Sequence, residues 1–183
     1  MKLHRTAFPE VLIIEPKVYG DDRGFFYESY NQREFCELIG IDTYFVQDNH
    51  SRSAKSILRG LHYQIKQSQG KLVRVIAGEI FDVVVDLRRR ASTFAQWAGF
   101  RLTENNRRQL WIPEGFAHGF LVLSDHAEVL YKTTDFYAPE YERCIAWNDA
   151  SLAIDWPLQE GQRPMLSKKD SAGLALDDAE YFQ

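Results

Sequence analysis

From Tyr44 to Tyr137 the chain is a succession of strand-sized apolar runs separated by turn-forming residues. The runs are Phe45 to Gln47, Leu58 to Gln64, Leu72 to Ala77, Ile80 to Leu87, Trp97 to Leu102, Gln109 to Ile112, Phe116 to Leu123 and Val129 to Phe136. Short strands at such regular spacing predict an antiparallel sandwich or barrel. Ahead of them, Val11 to Ile14 reads as a strand, Asp21-Asp22-Arg23-Gly24 as a turn and Phe25 to Tyr30 as a second strand. One helix is expected next: Asn31 is placed to cap it, Glu34 sits at the third position, Phe35, Leu38 and Ile39 have helical spacing, and Gly40 is placed to end it. Gly78-Glu79, between two apolar runs, predicts a hairpin turn. After Trp156-Pro157 the chain is richer in charge and glycine, and Ser167-Lys168-Lys169-Asp170 is suited to open a short final helix. The expected organisation is one unit over 1–183, with an N-terminal arm over about 1–45, a barrel core over about 45–137 and a segment over 138–183 that caps one mouth.

Polar residues inside the apolar runs are the candidates for chemistry. Strand alternation puts Gly60, His62 and Gln64 on one face and Arg59, Leu61 and Tyr63 on the other. It also puts His118 beside Phe116, Phe120 and Val122, and Tyr131 beside Val129 and Thr133. A lone histidine in such a row is more often a satisfied core residue than a functional one; two such rows shift the balance towards function. Asp82 shares the face of Val84, where a buried carboxylate is costly without a partner, so it should meet a histidine, lysine or arginine. Gln47-Asp48-Asn49-His50 reads equally well as a turn or as amides that recognise a ligand edge. Arg23, Arg59, Lys71, Arg74 and Lys168 are available as cations for one pocket, whereas Arg88-Arg89-Arg90 and Arg107-Arg108 read as solvated turns.

Composition narrows the classes. Of 183 residues, 45% are hydrophobic and 26% charged, which suits a folded domain and not a disordered tail. A formal net charge of -4 argues against a nucleic-acid or anionic-membrane surface, so any bound anion must be gripped locally. The first residues lack the apolar stretch of a signal peptide, and Cys36 and Cys144 lie far apart without metal or redox spacing. A cytoplasmic protein is expected.

Pro113-Glu114-Gly115-Phe116-Ala117-His118 resembles the second half of the cupin signature, in which a Pro-x-Gly turn leads into a strand with an inward histidine. The first half normally offers His-x-His and a later Glu as metal ligands; here the matching residues are His62-Tyr63-Gln64, with Ser68 and Gln69 downstream. Two imidazoles alone are a poor transition-metal site, so the expectation is a barrel without a metal or other cofactor, in which His62 is free to act as a base.

Several blocks in order then resemble the dTDP-4-dehydrorhamnose 3,5-epimerases, a metal-independent branch of the cupins: Asp22 to Phe26, Phe45 to Ser51, Leu58 to Gln64, Gly70 to Arg74, Trp111 to Phe120 and Leu130 to Thr133. The resemblance implies a cupin-type antiparallel jelly roll with a few short peripheral helices. It implies His62 as the base, oriented by Asp170, Tyr131 as the acid on the opposite sugar face, and Lys71 as the cation for an enolate. It implies Arg23 and Arg59 on the diphosphate, Arg143 and Lys168 as further contacts, Gln47 and Asn49 at the nucleotide, Glu28 and His118 lining the pocket, and Tyr19, Phe26 and Tyr137 around thymine. It also implies a homodimer with crossed N-terminal strands, in which Arg23 and Glu28 serve the neighbouring site. Two positions depart from the family's usual residues, Tyr19 in place of Phe and Cys144 in place of Gly. The alternatives are a 3- or 5-monoepimerase or ketoisomerase of related deoxysugars, a metal cupin, and a non-catalytic sugar-nucleotide binder; Tyr131 favours the double epimerase.

Overall fold

The computed structural model describes residues 1–159 and 161–183. Its strands are β1 (Lys2–Arg5), β2 (Leu12–Glu15), β3 (Tyr19–Asp21), β4 (Gly24–Phe26), β5 (Gln47–Ala54), β6 (Leu58–Gln64), β7 (Lys71–Ala77), β8 (Glu79–Asp86), β9 (Trp97–Thr103), β10 (Gln109–Ile112), β11 (Phe116–Val122), β12 (His126–Thr133) and β13 (Glu142–Cys144). One sheet has the order β1-β2-β10-β7-β12-β5 and the other β13-β6-β11-β8-β9, with every neighbouring pair antiparallel. The inner faces share a core that includes Val73, Val75, Ile80, Val84, Leu102, Leu110, Phe116, Phe120, Val122 and Val129. This is the antiparallel cupin-type barrel that the run spacing and the resemblance led us to expect.

The outer faces are covered differently. Helix α1 (Gln32–Ile39) lays Phe35 on Leu12, Ile14, Leu72 and Trp111 of the first sheet. Its ends follow the sequence: Asn31 Oδ1 accepts from the Glu34 N–H at 3.2 Å, and Gly40 closes the helix with φ 73°. The C-terminal segment covers the second sheet, where Leu152, Trp156 and Leu176 pack on Leu61, Val83, Val85, Ala117 and Leu121. Alternation on β8 and β11 therefore sends Val83, Val85, Ala117 and Leu121 outward while Asp82, Val84, His118 and Phe120 face in. The expected final helix is a single 3-10 turn, Asp170–Ala172, which lies against β6, while the rest of the tail packs on the second sheet. No helix among the described residues is long and apolar enough to cross a membrane.

Four expectations need correction, the first being the strand over Phe25 to Tyr30, which ends at Phe26. Gln47 to His50 is not a turn: it opens β5, whose inward residues Gln47, Asn49 and Ser51 are polar, so no apolar alternation marks it. Gly78 makes no hairpin: β7 and β8 belong to opposite sheets, and Gly78, at φ 77°, takes the chain across between them. Arg88 is not a solvated turn residue: its guanidinium pairs with buried Asp86 at 2.7 Å and with Glu10 at 2.9 Å.

Strand β6 also breaks strict alternation. Its ladder with β11 runs from His118 opposite His62 to Phe120 opposite Arg59, a shift of one residue centred on Gly60. Gly60 has φ 120°, and a Cβ there would lie 2.5 Å from Gly119 Cα and 2.7 Å from the His118 carbonyl oxygen, both backbone atoms. Only glycine lets the two strands approach so closely. Gly60→Ala should therefore destabilise the fold by about 2–4 kcal/mol, the sum expected of a strained φ and an unrelieved clash. Urea denaturation of the variant measures this, and a loss below about 1 kcal/mol would mean that the bulge relaxes freely.

Candidate active site

The shift at Gly60 brings Arg59 to the same side as His62, where alternation had placed it opposite. Together with Gln47, Asn49, Gln64, Lys71, His118, Phe120, Tyr131, Tyr137, Glu142 and Lys169 they line one cavity of about 360 Å³. His62 and His118 come from the second sheet and Lys71 and Tyr131 from the first, so the groups face one another across the barrel.

His62 is held from behind. Its Nε2 lies 2.6 Å from Oδ1 of Asp170, a close contact poorly aligned with the ring N–H. Oδ1 also accepts from the Gly60 N–H at 3.1 Å, and Oδ2 accepts from the Ser167 hydroxyl at 2.6 Å. Burial pushes the Asp170 carboxyl up, but His62, Ser167 and the Gly60 N–H outweigh it and hold the group well below the usual carboxylate range. An ionised Asp170 thus sets a fixed negative charge against the His62 ring. Beside it, His118 Nε2 is 2.9 and 3.0 Å from the two oxygens of Asp82, which supplies the partner expected for that carboxylate.

Lys71 is buried and makes no ion pair among the described residues. Desolvation lowers its pKa to about 8, opposed by the negative charge of Glu142. Burial raises the Tyr131 phenol, Arg59 lowers it and Glu142 raises it further. Gln64, at the place of a cupin metal ligand, spends its amide on the mouth: Nε2 donates to the carbonyls of Gln67 at 2.7 Å and Phe136 at 3.2 Å, and Oε1 accepts from Ala138 N–H at 2.9 Å. That side chain is fixed by backbone partners and is a weak metal donor besides.

Several expected residues lie elsewhere. Arg143 points away from the cavity and pairs with Glu180, because β13 alternates and turns Glu142 inward instead. Lys168 is off the wall and Lys169 is on it, paired with Glu142, whose other oxygen accepts from Tyr137 Oη at 2.8 Å. Arg74 faces a small outer recess with Tyr30 and Gln109. Tyr19, Arg23, Phe26 and Glu28 sit on the arm outside the cavity: β3 and β4 pair only with each other, Arg23 is 90% exposed and ion-paired to Asp21, and Phe26 is 71% exposed. Glu142 and Lys169 are wall residues that the sequence did not mark: the three residues of β13 are too few for a period-2 pattern to show Glu142, and Lys169 is aimed inward by the short turn at Asp170.

A cupin-type barrel whose interior carries paired acid–base groups and a buried lysine defines an enzyme of proton transfer. Comparison with known proteins gives the family. The family described as dTDP-4-dehydrorhamnose 3,5-epimerase matches residues 5–178, and the chain belongs to it. The dTDP-4-dehydrorhamnose 3,5-epimerase of Pseudomonas aeruginosa is 65% identical over 182 residues, covering 100% of this chain and 99% of that one. That of Salmonella typhimurium is 58% identical, covering 96% and 95%. A Legionella pneumophila dTDP-6-deoxy-D-glucose-3,5-epimerase, solved with dTDP-4-keto-L-rhamnose, superposes with a TM-score of 0.94 at 55% identity, covering 98% of this chain and 94% of that one.

The burial of Lys71 has a direct readout. Its side-chain NMR signals, assigned by their loss in Lys71→Arg, should titrate at about 8 in the unliganded protein. A midpoint near the ordinary 10.5 would show the amine to be hydrated.

Proposed function

We propose that the cavity inverts C3 and C5 of dTDP-4-dehydro-6-deoxy-D-glucose, giving dTDP-4-dehydro-L-rhamnose in dTDP-L-rhamnose biosynthesis. The observation that carries the reading is the placement of His62, backed by Asp170, and Tyr131 on opposite sheets across one cavity that also holds Lys71. The hydrogens on C3 and C5 of a 4-keto sugar are both α to the carbonyl, so removing either leaves an enolate. His62 takes the proton, Lys71 as a cation stabilises the charge at O4, and Tyr131 returns a proton from the far face. Repetition at the second carbon completes the double inversion. Asp170 keeps His62 oriented and stabilises its protonated form.

Arg59 is the cavity's arginine for the diphosphate, because a planar guanidinium binds two phosphate oxygens at once. Gln47 and Asn49 offer amides to the nucleotide, His118 and Tyr137 line the sugar and base ends, and Glu142 and Lys169 replace Arg143 and Lys168 as wall groups. Binding energy at the nucleotide then positions the sugar between base and acid. Metal or redox cofactors have no step in this sequence. With both cysteines free, a reducing cytoplasm is the fitting compartment.

Arg23, Phe26, Glu28 and Tyr19 enter this reading through a second copy. The arm exposes Tyr19, Phe25 and Phe26, an apolar surface that a lone chain leaves in water. In a homodimer with crossed arms these residues complete the partner's cavity. Mixing the inactive Arg23→Ala and His62→Ala proteins under subunit exchange should then restore about a quarter of wild-type activity, because half the dimers are mixed and each carries one intact site. No recovery from a confirmed mixed dimer would place Arg23 with its own cavity.

The division of labour between His62 and Tyr131 is separable in deuterated water. In Tyr131→Phe the enolate should still form but be reprotonated mainly by His62. Substrate should gain deuterium with retained configuration while inverted product falls by ~10²–10⁴. Mass spectrometry and proton NMR give the ratio of washed-in deuterium to product, and an unchanged ratio would remove Tyr131 from the mechanism. His62→Ala should lose exchange at both carbons.

A further inference from the structure

Cys144 is unused by the proposed mechanism, yet the sheet places it beside the base. In the β13–β6 ladder it stands opposite His62, on the inward side next to Glu142 in register. Its Sγ, a ring nitrogen of His62 and a carboxylate oxygen of Asp170 all lie within 4.8 Å of one another, the one such His/Cys/Asp/Glu trio among the described residues. The thiol's hydrogen-bond partner is the carbonyl of the next residue, Ile145, at a long 3.6 Å. The His62 Nε2 is buried without a well-aligned partner. Asp170 is already oriented by Ser167 and the Gly60 N–H, the kind of outer support that metal-ligating carboxylates have.

We propose that Cys144, His62 and Asp170 form an inhibitory site for a thiophilic divalent cation, zinc or cadmium. One sulfur, one imidazole nitrogen and one carboxylate oxygen make the three-protein-ligand set on which such an ion keeps a fourth position for water. The site differs from the cupin position at Gln64: its other ligands are Cys144 of β13 and Asp170 of the C-terminal segment. Ligands of a tetrahedral zinc stand about 3.3 Å apart, so the trio closes slightly while the His62–Asp170 contact opens. Binding releases the thiol proton to solvent and occupies the imidazole. A metal-held imidazole cannot accept a substrate proton, so turnover stops. The inhibition rests on the proposed role of His62, whereas the site itself does not.

Cadmium is the probe, because thiolate ligation gives an ultraviolet charge-transfer band independent of catalysis. After chelator treatment the wild-type protein should bind one cadmium with that band, and Cys36→Ser should behave identically. Cys144→Ala should lose the band, and His62→Ala should weaken binding more than about tenfold. Epimerisation by the wild-type protein should fall on titration with zinc and recover with chelator. Cys144→Ala should turn over normally and need more than about tenfold more zinc for the same inhibition. Absence of the band, a band unchanged in His62→Ala, or equal zinc sensitivity in Cys144→Ala would overturn the site. Cadmium binding as expected in a protein without epimerase activity would instead overturn the function proposed for His62 and leave the site standing.

Discussion

The buried carboxylate of Asp170 ties the C-terminal segment to the strand that carries the candidate base. It accepts from the Gly60 N–H at the β-bulge and from Ser167 at the head of its own turn, and its remaining charge faces His62. An ionised carboxylate removed from water is tolerable only with such partners. The contacts also couple three otherwise separate features: the bulge that turns Arg59 inward, the ring orientation of His62 and the docking of the tail over the second sheet. A change at any of them reaches the others through one side chain.

The barrel divides its interior along the strands. Val73, Val75 and Val129 fill the apolar part, while Lys71 and Tyr131 on the same two strands point into the cavity. The polar part satisfies itself in pairs: His118 with Asp82, Glu142 with Lys169 and Tyr137, Gln64 with the backbone of the mouth. Paired groups resist rearrangement, which keeps the walls fixed without filling the space between them. Lys71 stands apart from these pairs as a cation held without an ion-pair partner among the described residues.

Much of this was legible in the residues. The caps of α1, most of the barrel strands and the inward histidines follow from local rules that no tertiary contact overrides, and Asp82 was recognisable as a buried carboxylate in need of a partner. What escaped did so for physical reasons. Strand β5 is polar on its inner face because that face lines a cavity, so hydrophobic periodicity cannot find it. The crossing at Gly78 resembles a hairpin because both use a glycine at positive φ between strands, and only the sheet order separates them. The face of Arg59 depends on a one-residue slip set by the approach of Gly60 to Gly119, two residues distant in sequence. The neighbours Lys168 and Lys169 differ only in where a short turn aims them. The trio of Cys144, His62 and Asp170 has no sequence spacing at all, since a strand ladder and a returning tail assemble it.

The two kinds of cation in the proposed mechanism are matched to their surroundings. A diphosphate is a permanent anion, and arginine, charged at any ordinary pH and able to bind two oxygens in one plane, suits it. An enolate oxygen is charged only during the reaction. A cation kept charged and paired in the resting cavity would spend its field on its own counterion. Lys71 is instead a buried residue whose desolvation brings its pKa down to about 8, so near neutrality it is still mostly protonated but holds its proton weakly. Negative charge arriving at O4 meets an ammonium that makes no ion pair among the described residues, and away from bulk water the attraction is stronger than in solution. The same desolvation that makes the lysine costly in the empty protein thus becomes selective stabilisation of the charge that forms on the way to product.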